Sequence, residues 1–136
     1  MRKHTYFTKA LLICLCTVLI AATVLSMTAC KKDDPTDRDT PVTFTLKVVD
    51  LDGNETTKVI ETKKWTVGAA LLDKGIISGE DGQYGLYIKS VNGITADYDK
   101  DQTYWAFYIG DEYAMTGVDK TDITDGATYT LKVEKG

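Results

Sequence analysis

The sequence predicts an α+β domain in which one short helix crosses a mixed sheet of about five strands. Three patterns carry that expectation. Val42, Phe44, Leu46 and Val48 alternate with Thr43, Thr45 and Lys47, the period of a strand with one buried face. Val67, Ala70 and Leu71 then recur at helical spacing between Thr66 and Gly75. Alternation returns in Thr103 to Ile109 and in Ala127 to Glu134, where Tyr129, Leu131 and Val133 share one face.

Asp52-Gly53 sits in a turn after the first strand, because glycine accepts the positive φ of a tight hairpin. Thr57 to Thr62 returns as a second strand, its core contact made through Val59 with Ile60 beside it. Thr66 is placed to cap the helix 67–74 and Gly75 to end it, with Trp65 as a staple packing the helix start onto the core. Gly79, Gly82 and Gly85 punctuate the next segment. Leu86 to Val91 reads as a third strand, Asn92-Gly93 as a turn, and Ala96 to Gln102 as a polar loop. Hairpin, helix, then further strands is the order of a β-grasp.

The chain ahead of this domain has a different character. Met1 to Lys9 carries Arg2, Lys3 and Lys9, residues 10–25 are apolar apart from two threonines, and Ser26-Met27-Thr28-Ala29 leads to Cys30. That order resembles a bacterial lipoprotein signal over residues 1–29, cleaved before a lipid-carrying Cys30, with Met27 where leucine is usual. An uncleaved anchor helix is the alternative. Both place the remainder outside the cytoplasmic membrane. Residues 30–41, with both prolines and many charges, read as the lipidated cysteine and a disordered tether, and residues 42–136 as the domain.

Composition excludes much chemistry. All three cysteines (Cys14, Cys16, Cys30) and the single histidine (His4) lie at or before Cys30, so the domain has no thiol and no imidazole. Zinc sites of the Cys/His type and Ser-His or Cys-His nucleophile pairs are therefore absent. Three of the 16 basic residues and none of the 20 acidic ones precede Cys30. The exported part is thus acidic, which disfavours nucleic acid and anionic lipid headgroups as partners. Its acids cluster in turns, where water keeps them ionised, and no enzyme is expected.

The stretches Tyr84-Gly85-Leu86-Tyr87-Ile88, Ser90-Val91-Asn92-Gly93, Tyr104-Trp105-Ala106-Phe107-Tyr108, Ala114-Met115-Thr116-Gly117-Val118 and Asp125-Gly126 resemble the transcobalamin-like C-terminal domain family, over about Val42 to Lys135. The resemblance implies a β-grasp-like module on an exported protein. It also implies a corrinoid such as cobalamin as ligand, with no cofactor required. Vertebrate carriers close such a module against a helical barrel that this chain is too short to supply, so the module either binds weakly, works with a partner protein or transporter, or shares the fold without the ligand.

Eight of the 13 aromatic residues fall between Tyr84 and Tyr113. Tyr84, Tyr87, Tyr104, Trp105, Tyr108 and Tyr113 are the candidate ligand-binding residues. By alternation Trp105 and Phe107 share one face of their strand and Tyr104 and Tyr108 the other. One pair belongs to the core, and the other can pair across strands or meet a flat ligand, a corrin or a sugar. The rival functions are accordingly a carbohydrate or cell-wall binder and a protein-interaction module. Asp97, Asp99 and Asp101 imitate the start of a calcium loop, but Gln102 and Tyr108 occupy positions that need glycine and glutamate. They read as a solvated loop, and no metal site is expected.

Overall fold

A computed structural model describes residues 37–136; the expected export signal, Cys30 and the first part of the tether lie outside them. Strands β1 (Val42–Val49) and β2 (Glu55–Thr62) form the expected hairpin, in register Phe44 opposite Ile60. Helix α1 (Val67–Asp73) follows. A second hairpin, β3 (Ile77–Gly82) and β4 (Gly85–Val91), continues into the two-residue β5 (Ile94–Thr95). One turn of helix, α2 (Tyr98–Asp101), precedes β6 (Thr103–Ile109) and the short β7 (Glu112–Tyr113). A 3-10 turn, η1 (Val118–Lys120), leads to the last strand, β8 (Thr128–Lys135).

The main sheet runs in the order β2-β1-β8-β6-β7, and a separate sheet in the order β3-β4-β5. The main sheet is mixed: β8 lies parallel to β1 and antiparallel to β6. Its inner face supplies Phe44, Leu46, Ile60, Trp105, Phe107, Tyr129, Leu131 and Val133 to the core. Val67, Ala70 and Leu71 of α1 are fully buried, as their helical stripe predicts, and join Ile88 and Val91 of the second sheet. At the centre Phe44 packs edge-on to Tyr129 (ring centroids 5.4 Å, 78°) and Phe107 stacks on it at 6.0 Å. The buried Tyr129 hydroxyl accepts from the Thr124 N–H (3.0 Å) and donates to the Asp122 carbonyl (3.3 Å), as a buried hydroxyl must.

Local chemistry explains the boundaries. Thr66 Oγ1 accepts from Ala69 N at 3.2 Å, capping α1 as expected, and Gly75 takes φ +66° just beyond its end. Asp97 caps α2 through its carboxylate, and Asp101 accepts from Thr103. The segment expected as a plain polar loop is therefore an ordered turn in which Asp97 and Asp101 spend their carboxylates on backbone N–H groups. The glycine-punctuated segment is β3, whose register slips by a bulge between Ser78 and Gly79.

Two further expectations are corrected. Ile60 alone fills the core from β2, while Val59, on the opposite face of the pleat, is 68% exposed. Residues 37–41 are not a free tether. The Arg38 N–H donates to the Lys63 carbonyl, and Nη2 donates to the carbonyls of Trp65 (3.2 Å) and Ile123 (2.8 Å). The guanidinium also lies 4.4 Å above the Trp65 ring. Trp65 is exposed on its other side. It fastens the N-terminal segment, where a staple onto the core was expected. Asp37 adds an ion pair to Lys64 at 2.7 Å.

Arg38→Ala removes two charge-assisted hydrogen bonds and the contact with Trp65, and should lower stability by about 1–2 kcal/mol in urea unfolding monitored by Trp65 and Trp105 fluorescence.

Candidate functional site

The inner face of β6 reaches a surface groove. There β4, on one side, and the chain from Tyr113 to Lys120, on the other, leave it open, with a volume of about 560 Å³. Its floor is Trp105 and Phe107, each only 8% exposed, and its β4 wall is Leu86, Tyr87 and Ile88. Tyr84 and Met115 stand on the rim, 87% and 94% exposed. Large apolar side chains that free are uncommon on a soluble domain unless something covers them. Lys120 is the one charged residue of the lining, its Nζ 4.0 Å from Asp119 Oδ2.

Glycines shape this groove. Gly85 opens β4 with φ +107°, and a Cβ there would meet Asp119 Oδ1 at 2.7 Å. A Cβ on Gly117 would meet the same oxygen at 2.8 Å. The carboxylate of Asp119 thus lies against both glycines and fixes how closely the tip of the β3–β4 hairpin approaches η1. Asp119 Oδ1 and Trp105 Nε1 are buried without a hydrogen-bond partner, as is Arg38 Nε. One of these three atoms, Trp105 Nε1, belongs to the groove's floor, and Asp119 lies behind its glycine Gly117; unsatisfied buried polar groups are rare enough to mark such places.

The sheet separates the six candidate residues. Tyr84, Tyr87, Trp105 and Tyr113 border the groove. Tyr104 and Tyr108 lie on the opposite face, joined by Glu134: Tyr108 Oη donates to Oε1 (2.6 Å) and Tyr104 Oη to Oε2 (3.3 Å), while Lys132 Nζ sits 3.3 Å from Oε1. Tyr113 is shared, its ring edge-on to Tyr108 at 5.5 Å. The hydrogen bond to Glu134 pushes the Tyr108 hydroxyl up to about 12, and the same bond holds the Glu134 carboxyl below its ordinary range. Burial, then the charge of Glu134, raise Tyr104 as well. Sequence reasoning missed Leu86, Met115 and Lys120 as site residues; the pair Met115-Thr116 in a polar connection was the available signal.

A family profile for a domain of unknown function, DUF4430, matches residues 64–135. The chain belongs to this family. A solved protein from Ruminococcus gnavus ATCC 29149, provisionally described as a metal binding protein, is 32% identical with a TM-score of 0.66; the match covers 70% of this chain and 98% of that one. A unit of this extent thus stands as a whole structure in that relative. Haptocorrin in complex with Cbi shares the fold at 18% identity and a TM-score of 0.57, over 71% of this chain and 25% of haptocorrin. The transcobalamin-like fold expected from the sequence is therefore the fold of this domain. No curated protein matches the sequence. Among the described residues no three Asp, Glu, His or Cys side chains come together to hold a metal ion.

Gly85→Ala should destabilise the domain by about 1–3 kcal/mol in urea unfolding, since it combines a positive φ with a clash against Asp119. Adding Asp119→Ala should recover the part due to the clash.

Raised phenol and lowered carboxyl values have opposite consequences. The Tyr108–Glu134 bond stabilises the fold fully below the ordinary tyrosine value and is lost as pH rises from about 10 to about 12. Glu134 contributes above its ordinary 4.5 and loses that contribution as pH falls below it. In Glu134→Gln the tyrosine that ionises at about 12 in an ultraviolet pH titration should move back toward pH 10.

Proposed function

We propose that the chain is a lipid-anchored, non-catalytic binding module on the outer face of the cell membrane. In this reading its groove receives one face of a corrinoid-type ligand. The observation that carries it is the groove itself: a floor of Trp105 and Phe107 beneath a rim of Tyr84 and Met115 that nothing in the domain covers. Aromatic and thioether surface suits a broad, largely apolar macrocycle, and an open groove meets it from one side only. The shared fold with haptocorrin, bound to Cbi, supports that ligand class. Three quarters of haptocorrin lies outside the match, so the opposite face of the ligand falls to a second protein, such as a transporter. Lipid on Cys30 supplies the membrane attachment, motivated by the small-residue stretch before it. The described residues include no histidine and no cysteine, which favours recognition over nucleophilic chemistry.

In a Trp65→Phe background Trp105 becomes the only indole. Titration with cyanocobalamin and dicyanocobinamide should quench its emission, with matching heat by calorimetry. Tyr84→Ala and Met115→Ala should each weaken binding about five- to tenfold. Absence of heat and quenching at high micromolar ligand, with and without membrane extract from the source cell, would rule the corrinoid reading out.

A further inference from the structure

The opposite face of the main sheet carries a second depression, of about 320 Å³, separated from the groove by the sheet itself. It lies over β1, β8 and β6 and is lined by Lys47, Val49, Glu55, Tyr108, Thr130 and Lys132, with Gly110 and Asp111 at its end. We infer that this depression is a binding site for a neutral sugar unit, distinct from the groove and independent of what the groove takes.

Charge balance points to a neutral ligand. Lys47 is paired with Glu55, and Lys132 with Glu134 at 3.3 Å. Neither cation is left for an anionic ligand, and the lining offers no aromatic cage for a cationic one. What remains is a set of hydrogen-bonding groups gathered around one depression. The two ammonium groups donate, Glu55 and Asp111 accept, and the Thr130 hydroxyl can do either. Paired charges of this kind make strong hydrogen bonds to hydroxyl groups without needing a counter-charge from them. Vicinal hydroxyls on a pyranose ring match such a set.

The apolar part of the lining fits the same ligand. Val49 and the Tyr108 ring give it a greasy patch on which the C–H face of a sugar can rest. Tyr108 is already fixed: its hydroxyl is bonded to Glu134 at 2.6 Å, and Tyr113 braces its ring edge-on at 87°. A ring locked from both sides costs little ordering entropy when a ligand arrives. The volume is near the lower end of small-molecule sites, suited to one or two sugar rings.

The test is a chemical-shift titration of isotope-labelled residues 37–136, the unit whose counterpart stands alone in the Ruminococcus relative, with maltotriose, cellotriose and chitotriose to about 10 mM each. At least one should shift the amides of Gly110, Asp111, Thr130 and Lys132 with a dissociation constant in the millimolar range or below. Tyr108→Ala should weaken that binding about tenfold or more, and the exposed Glu55→Gln severalfold with an unchanged unfolding midpoint. If Tyr108→Ala fails to fold, Glu55→Gln decides. No shifts with any of the three sugars would overturn the proposal. So would shifts confined to Tyr84, Trp105 and Met115, or affinity that Glu55→Gln leaves intact. Quenching of Trp105 by a corrinoid, unchanged in Glu55→Gln, would show the two sites to be separate.

Discussion

Strand β8 is the member on which the other elements depend. It lies between β1 and β6, parallel to one and antiparallel to the other, so the β2–β1 and β6–β7 halves of the main sheet are joined through it. Its Tyr129 meets Phe44 from β1 and Phe107 from β6, and its hydroxyl holds the backbone at Asp122 and Thr124. One side chain thus ties the two halves of the sheet to the connection that precedes its own strand. Apolar rings of that size dominate core energetics, and a buried hydroxyl adds direction to what would otherwise be unspecific packing.

From that centre the two faces of β6 acquire different characters. Trp105 and Phe107 point toward the core, and their outer edges also line the groove beside β4. Tyr104 and Tyr108 point away and meet Glu134, directly opposite Tyr104 on β8. A strand with bulky groups on both sides therefore serves two surfaces at once. The inner one is apolar and open, and the outer one polar and prearranged. Alternation requires this separation, since neighbouring side chains cannot reach the same side of a sheet.

The sequence made the architecture legible wherever period and capping agreed. The alternations of β1, β6 and β8, the stripe of α1 and the Thr66 cap all appear where the pattern places them. It was less informative where one residue had to choose between equivalent neighbours. Val59 and Ile60 are both β-branched and adjacent, and only the pairing of Phe44 with Ile60 settles which is buried. Glycines concealed β3, because the bulge at Gly79 breaks the alternation that would have announced a strand. Clustering of aromatics in the chain located the groove in part, but nearness in sequence cannot say which side of a sheet a residue joins. Met115, Lys120 and the pinning of Arg38 arise from contacts between distant segments, and no local pattern encodes them.

The central place of β8 bears on how such a chain can be made. It follows every other element of the domain in sequence, yet the sheet has a gap in its middle until it arrives. While synthesis is still short of Thr128, β1 and β6 have no strand to bridge them, and the main sheet cannot close. The main sheet closes only when its last strand is free to enter between β1 and β6.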